Sequence, residues 1–367
     1  MKKVLILGVA SVQMEAIEEL KQMGIYTYAC AQADDGPGSK LADHFEIINI
    51  LDQEKLSRFV QEQGVDCVYS VGSDLAMPVA SRISEQLRLP RFVSSEIAAT
   101  CNNKNKLREF LGSEFEGNVP FQIIEDSGDE IALAYPFIMK PSDSQGQRGV
   151  RLIRNDQEFK QHYEACRQHS RSGLVIIEEY VDGPEISVNA YIVDGDAAFM
   201  VPSDREVWPQ FQGGLIHKHI VPSAALNHES EANLKDLVLR TSRKLGVQNG
   251  PLYFQIKMRG AQPYIIEVTP RLDGCHMWNL LKHYTGVNLI KLTFEHLLFG
   301  KTDELHKYEL SGRGYTLEFL CEVPEVKADY SKFTVPSAAL HRFNYYHDGD
   351  WIRPINGQYE KIGYFVL

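Results

Sequence analysis

Hydrophobic and polar positions change period repeatedly along the first hundred residues. KVLILGV is an unbroken apolar run, Met14 to Met23 spaces its apolar positions as an amphipathic helix does, and IYTYACA is strand-like again. A second helical pattern covers Gln53 to Gln63, and CVYSVGS follows it. Alternation of this kind predicts strand–helix–strand units that build a parallel sheet covered by helices. The chain thus opens on a Rossmann-like half.

Beyond it, Asn102 to Leu111 reads as a helix with an Asn cap, and strands dominate the middle: FQIIE, YPFIMKP, GVRLI, LVIIEEYV, EISVNAYIV and AAFMV. A helix from Glu229 to Leu245 interrupts them. The strand pair YFQIKMR and PYIIEVT comes next, then a helix-like stretch from Asn288 to Phe299 and a β-rich tail to Leu367. No repeat, low-complexity tract or long linker stands out.

Composition narrows the function classes. At 367 residues the chain exceeds the size of one growing core, so two or three domains are expected. Hydrophobic residues at 44% and charged residues at 24% fit a folded chain rather than a disordered one. A net charge of -11 without any basic cluster argues against a nucleic-acid partner. There is no apolar span of membrane length and no signal-type leader, so the expectation is a cytoplasmic protein with no membrane partner. Six scattered cysteines in apolar contexts are expected to be buried free thiols.

Several stretches carry candidate chemistry. The first turn, GVASVQM from Gly8, keeps one glycine of a dinucleotide fingerprint, which disfavours a pyrophosphate there. Gly72, Ser73 and Asp74 end a strand, where they line a ligand pocket or cap a helix. In PFIMKPSDSQGQRGVRLI, Lys140 ends one strand and a Gly-, Ser- and Gln-rich loop follows; it reads as a phosphate-binding lid or as a surface turn. LVIIEEYVDGPEISV sets Glu178, Glu179 and Glu185 around a turn, where they face a nucleoside or solvent. FQIKMRGAQPYIIEV reads as a hairpin with a three-residue turn at Gly260 to Gln262, which puts Gln255 opposite Glu267 with Cβ atoms about 5 Å apart. With Thr269 on the same face this suits Mg²⁺, while Arg271 at the strand's exit suits a phosphoryl or carboxylate group. The competing reading is an ion pair of Glu267 with Arg271 or Lys257. The H-K-H run at His217 and His219 lacks a third ligand for zinc.

Taken in order, Lys104, Lys140 with SDSQGQRG, EEYVDGPE, FQI and IIEVTPR resemble the ATP-grasp superfamily of carboxylate-amine ligases, of the biotin carboxylase, carbamoyl-phosphate synthase large-chain and amino-acid ligase type. The resemblance implies an α/β and α+β chain, with the Rossmann-like sheet followed by a two-lobed ATP-grasp fold. It implies a first domain over 1–100, a linker helix and small lobe with glycine-rich lid over 101–182, a catalytic lobe over 183–310 and a C-terminal β-rich segment completing that lobe over 311–367. Lys104 and Lys140 correspond to lysines on the ATP phosphates, and Ser144, Gly146 and Gly149 to the lid. Glu179 and Val181 correspond to the adenine side, Glu185 to the ribose side, and Glu178 to a further cofactor-binding position. Gln255, Glu267 and Thr269 fall on metal positions, and Arg271 with Lys140 on catalytic ones. Gln255 stands where an acid is usual and Thr269 where Asn is usual. The implied cofactors are ATP and Mg²⁺, or Mn²⁺ in its place, and the implied partners are a small carboxylate, an amine and a further copy of the chain. The implied reaction activates the carboxylate as an acyl phosphate, with release of ADP and phosphate, for attack by the amine. A carboxylase acting through carboxyphosphate and a nucleotide-binding regulatory protein without turnover are the alternatives.

Overall fold

The first apolar run becomes a central strand because both of its faces are covered. The structure, a computed structural model, describes residues 1–144, 148–211, 215–355, 357 and 359–367. Strands β1 (Lys3–Leu7), β2 (Tyr26–Ala31), β3 (His44–Ile47) and β4 (Cys67–Tyr69) pair in parallel in the order β3-β2-β1-β4. Helices α1 (Ser11–Gln22), α2 (Gly38–Leu41), α3 (Gln53–Gln63) and α4 (Ala76–Leu87) connect and follow them. Alternate residues of β1 enter different cores: Val4 and Ile6 pack with Ile17 and Leu20 of α1, Leu5 and Leu7 with Leu56, Val60 and Ile83 of α3 and α4. At the first turn, the Gln13 side chain accepts from the Ala10 N–H at 3.0 Å and donates to the Val71 carbonyl at 2.5 Å, lying directly against Gly8.

Helices α5 (Ser95–Cys101) and α6 (Lys104–Leu111) lead out of this layer. Asn103 caps α6 by accepting from the Lys106 N–H at 3.0 Å, which fixes Lys104 in the first turn. A small antiparallel sheet follows, β5 (Phe121–Ile124), β6 (Phe137–Pro141), β7 (Arg151–Ile153) and β8 (Val175–Glu179), in the order β5-β8-β6-β7. Helix α7 (Asp156–Arg167) packs Phe159, Tyr163 and Cys166 onto it. The strand-dominated reading of this region overlooks α7. Its signal is Asn155, whose side chain accepts from the Glu158 N–H as an N-cap.

The remainder builds one antiparallel sheet of eight strands: β9 (Glu185–Val193), β10 (Asp196–Val207), β11 (Ile216–Val221), β12 (Gly250–Arg259), β13 (Gln262–Thr269), β14 (Tyr315–Glu322), β15 (His341–Asn344) and β16 (Glu360–Val366). Their order is β13-β12-β9-β10-β11-β14-β16-β15, so the chain's last strands extend the sheet that begins after the small lobe. Helices α8 (His228–Lys244), α9 (Met277–Thr285) and α10 (Leu289–Phe299) supply Leu234, Val238, Leu280, Leu281, Leu292 and Phe294 to the main core.

The β12–β13 hairpin corrects the expected turn. Arg259 faces Gln262, so the turn holds Gly260 and Ala261 only. A regular ladder from that turn would set Gln255 against Ile266. Instead Ile256 faces Ile265 and Gln255 faces Glu267, with a bulge at Ile266 that restores the expected pair. The bulged carbonyl of Ile266 accepts from Arg108 Nη2 at 3.1 Å.

Glu15 of α1 joins the first layer to the end of the chain. Its carboxylate accepts from Trp278 Nε1, from Asn279 Nδ2 at 3.1 Å and from the Tyr364 hydroxyl at 2.7 Å, and lies 3.1 Å from His276 Nδ1. All six cysteines are buried free thiols. Among the described residues no helix is long and apolar enough to cross a membrane.

Candidate active site

The site grows from a buried charge cluster. Lys140, at the end of β6, reaches Glu178 of the neighbouring strand at 2.5 Å, and Arg108 of α6 reaches the other Glu178 oxygen at 2.9 Å. Burial would raise the Glu178 carboxyl, but Arg108 and Lys140 hold it down to about 2. Three charges in contact leave one net positive charge, carried by Lys140 at the cavity wall. Lys104 donates from Nζ to the Ser144 carbonyl at 2.8 Å. Burial, followed by Lys140, lowers its pKa, while Glu267 and Glu178 oppose that fall.

Across the cavity, the hairpin presents its oxygens. Gln255 Nε2 donates to Glu185 Oε1 at 2.6 Å, which turns the amide oxygen away from Glu185. Glu185 is also paired with Arg205 of β10. The Glu267 carboxylate makes no hydrogen bond or ion pair to any described residue, and burial and then Asp74 raise its pKa against Lys104 and Arg271. Neither partner of the competing ion-pair reading holds it: Arg271 is paired with Asp74, and Lys257 lies 4.0 Å from Glu185. Thr269 is 1% exposed, and its Oγ1 has no partner among the described residues. An unbonded carboxylate, an oriented amide oxygen and an unpartnered hydroxyl fit a hard divalent cation. Glu267 and Gln255 would hold it directly, since Thr269 does not reach the cavity wall.

Arg271 makes a bidentate pair with Asp74, at 2.6 and 2.7 Å, and donates from Nη1 to the Leu272 carbonyl at 2.8 Å. Asp74 belongs to the turn after β4, where Ser73 Oγ accepts from the Ala76 N–H at 3.3 Å, so that turn both caps α4 and faces the cavity. The first sheet thereby supplies a wall to a site built mainly by the later ones.

One cavity of about 680 Å³ collects Lys104, Lys140, Ser144, Glu178, Glu179, Val181, Glu185, Gln255, Glu267 and Arg271. Gly149 is not in its wall; it adopts φ +76 against Pro141 and His169. Gly146 lies outside the described residues. On the adenine-side stretch the Glu179 carboxylate turns outward to Arg259 at 2.6 Å, leaving the backbone of 179–181 along the cavity.

Sequence reasoning missed Arg108, Arg205, Asp273, Cys275 and Lys361. Arg108 had a signal, a charge beside Leu107 and Leu111 on the buried face of α6. Arg205, Asp273, Cys275 and Lys361 sit far apart in the chain and meet only through sheet order. His219, read as short of a third ligand, lies with Asp273 and Cys275 so that one ligand atom of each falls within 4.8 Å of the others.

Residues 133–278 match the model of the ATP-grasp domain. The chain carries an ATP-grasp domain, and its fold is the ATP-grasp fold preceded by a parallel α/β layer. It is similar to formate-dependent phosphoribosylglycinamide formyltransferase of Prochlorococcus marinus (strain NATL1A), at 26% identity over 188 residues, 49% of this chain and 48% of that one. The chain thus spans about half the length of the curated relatives it matches there. Among solved structures it resembles an L-amino acid ligase from Bacillus licheniformis, with TM-score 0.81 and 20% identity over all of this chain and 93% of that one. It also resembles the biotin carboxylase domain of Hydrogenobacter thermophilus 2-oxoglutarate carboxylase, in complex with MgADP and bicarbonate, with TM-score 0.80, 17% identity and coverage of 100% and 86%.

Proposed function

We propose that the chain is an ATP-dependent, ADP-forming carboxylate-amine ligase, and the observation that carries this reading is the pairing of Gln255 with an unbonded, half-buried Glu267 across the cavity from Lys104 and Lys140. An unpartnered carboxylate among cations is costly without a ligand to complete it. ATP would lie with its base along 179–181 and its phosphates between the two lysines. Mg²⁺ or Mn²⁺, held by Glu267 and Gln255, would neutralise charge on the phosphate oxygens.

A substrate carboxylate oxygen then attacks the γ-phosphorus, the bond to the β-bridging oxygen breaks, and ADP leaves with an acyl phosphate formed. Lys140, fixed by Glu178, and Lys104 stabilise charge that builds on the transferring group. Arg271, fixed by Asp74, orients the acyl carboxylate. The amine displaces phosphate to form the C–N bond. Ser144 and Arg148, which line the cavity, would help to shield the acyl phosphate from water.

Hydroxylamine tests this reading, because it traps an acyl phosphate as a coloured hydroxamate without an amine substrate. The expected outcome is hydroxamate and ADP in equal amounts with one class of organic acid, dependent on Mg²⁺, and lost by a factor of about 10² or more in Glu267→Ala. AMP as product, or turnover with bicarbonate alone, would overturn it.

A further inference from the structure

The cavity continues beyond the metal positions to a second polar end that the phosphate chemistry does not use. Arg205 of β10, Asp273 and Cys275 after β13, and Lys361 of β16 wall it, and His219 of β11 closes it from behind. Three of these side chains are unfinished. Asp273 Oδ1 accepts from the Cys275 N–H at 3.0 Å, but Oδ2 has no partner among the described residues, and the same holds for Arg205 Nε and His219 Nε2. All three residues are more than nine-tenths buried. Lys361 Nζ rests 3.5 Å from Cys275 Sγ and 3.8 Å above the Phe319 ring, with no carboxylate partner among the described residues.

Charge decides what fits. Glu185 neutralises Arg205, Asp74 neutralises Arg271, and Asp273 is left to balance Lys361, so this end of the cavity has no net charge, while Asp273 Oδ2 and Arg205 Nε have no partner among the described residues and Lys361 Nζ has only the Cys275 sulfur. A bare carboxylate would crowd Asp273, and a simple amine would leave Lys361 without an anion. A metal ion on His219, Asp273 and Cys275 would add two positive charges where Arg205 and Lys361 already drive His219 to its neutral form, beyond what burial does. A ligand with both charges can engage Asp273, Arg205 and Lys361 together.

We propose that this end of the cavity is the seat of the amine substrate, and that this substrate is a dipolar ammonium carboxylate such as an α-amino acid, with its carboxylate on Arg205 and Lys361 and its nitrogen at Asp273. The assignment rests on the ligase reading for its chemistry but not for its binding geometry. The ammonium gives one proton to Asp273 Oδ2, the freed lone pair attacks the acyl carbon, and the carbon–oxygen bond to phosphate breaks. The second nitrogen proton leaves with the departing phosphate, and Asp273 returns its proton to solvent. Burial makes Asp273 a better proton acceptor than an exposed aspartate, against the pull of Arg271 and Lys361.

Calorimetry of the full chain with Mg²⁺ and a non-hydrolysable ATP analogue tests the seat without turnover. Matched pairs, alanine against ethylamine and glycine against methylamine, are expected to differ at least about tenfold in Kd in favour of the amino acid. In Lys361→Met that ratio is expected to fall towards one, with thermal melting used to confirm that the variant is folded. Equal binding within each pair, no binding of either member, or a ratio unchanged in Lys361→Met overturns the proposal. In turnover, Asp273→Asn is expected to lower the amino-acid-supported rate at least about tenfold relative to the hydroxylamine-supported rate, and equal losses overturn the proton-accepting role. Discriminating binding without hydroxamate from any acid would sink the ligase reading alone; hydroxamate without discrimination would sink the seat alone.

Discussion

Glu178 is 2% exposed and is held between Arg108 and Lys140, so its charge is part of the fold before it is part of any chemistry. Glu178→Gln would leave two buried cations without their anion and should cost about 3–5 kcal/mol in urea unfolding. The same contact sets an acid limb. The folded pKa of about 2 lies below the ordinary 4.5, so the stabilisation is complete above pH 4.5 and is lost as pH falls through about 2. That loss is on the order of 3 kcal/mol and should be absent from the pH profile of the variant. Gln255 makes a second case. Its amide donates to Glu185, so Gln255→Glu would set two carboxylates in contact and cost about 1–3 kcal/mol without metal. The added charge should also tighten the metal site. Thermal melting is expected to show a lower midpoint than wild type in EDTA and a steeper rise with Mg²⁺. The hairpin itself was legible in the sequence because it is local, but the pairing of Gln255 with Glu267 also needs the bulge at Ile266. Asp273, Cys275 and Lys361 were not, because no local period links β13, its following loop and β16.

Helix α3 over Gln53–Gln63 and strand β9 over Glu185–Val193 were read well, whereas α7 was missed despite its Asn155 cap. The β12–β13 hairpin was right in its result and wrong in its route. A shorter turn and a bulge cancel, and the bulge is fixed by a contact that no strand pattern contains, Arg108 on the Ile266 carbonyl. A similar non-local constraint acts on the V-D-G-P turn. Gly183 has φ +142, and a Cβ there would fall 1.8 Å from the Met258 carbonyl oxygen of β12. The turn between β8 and β9 therefore lies directly on the hairpin that carries Gln255. Gly183→Ala must push these two backbones apart. The strained φ alone should cost about 1–3 kcal/mol. Because residues 179–181 border the cavity just before this turn, nucleotide-analogue affinity should fall as well, which fluorescence titration would read alongside denaturant unfolding. An affinity unchanged despite lost stability would mean that the turn does not position the nucleotide edge.

At the scale of the molecule, the site depends on a contact between layers that fold from distant parts of the chain. Asp74, in the turn that follows the parallel strand β4, takes Nε and Nη2 of Arg271, which lies just beyond β13. Glu15 makes another such join, to α9 and β16. These joins were invisible in sequence: the GSD turn was read for a pocket or a cap, with nothing to indicate Arg271 as its partner. The geometry makes Asp74 the group that keeps Arg271 away from Glu267, which acts on it together with the buried Asp273. Asp74→Asn would release the guanidinium towards the unbonded Glu267 carboxylate and so place a fixed cation at the proposed metal position. The apparent Mg²⁺ affinity, read from hydroxamate formation, should drop at least about tenfold, with a smaller effect on ATP itself. Pairing the change with Arg271→Gln should recover part of the lost Mg²⁺ affinity, because the competing cation is then gone. A double-mutant cycle on metal binding should show coupling of about 1–3 kcal/mol. Strict additivity would mean that Asp74 acts on stability alone and that Arg271 does not compete for the metal position.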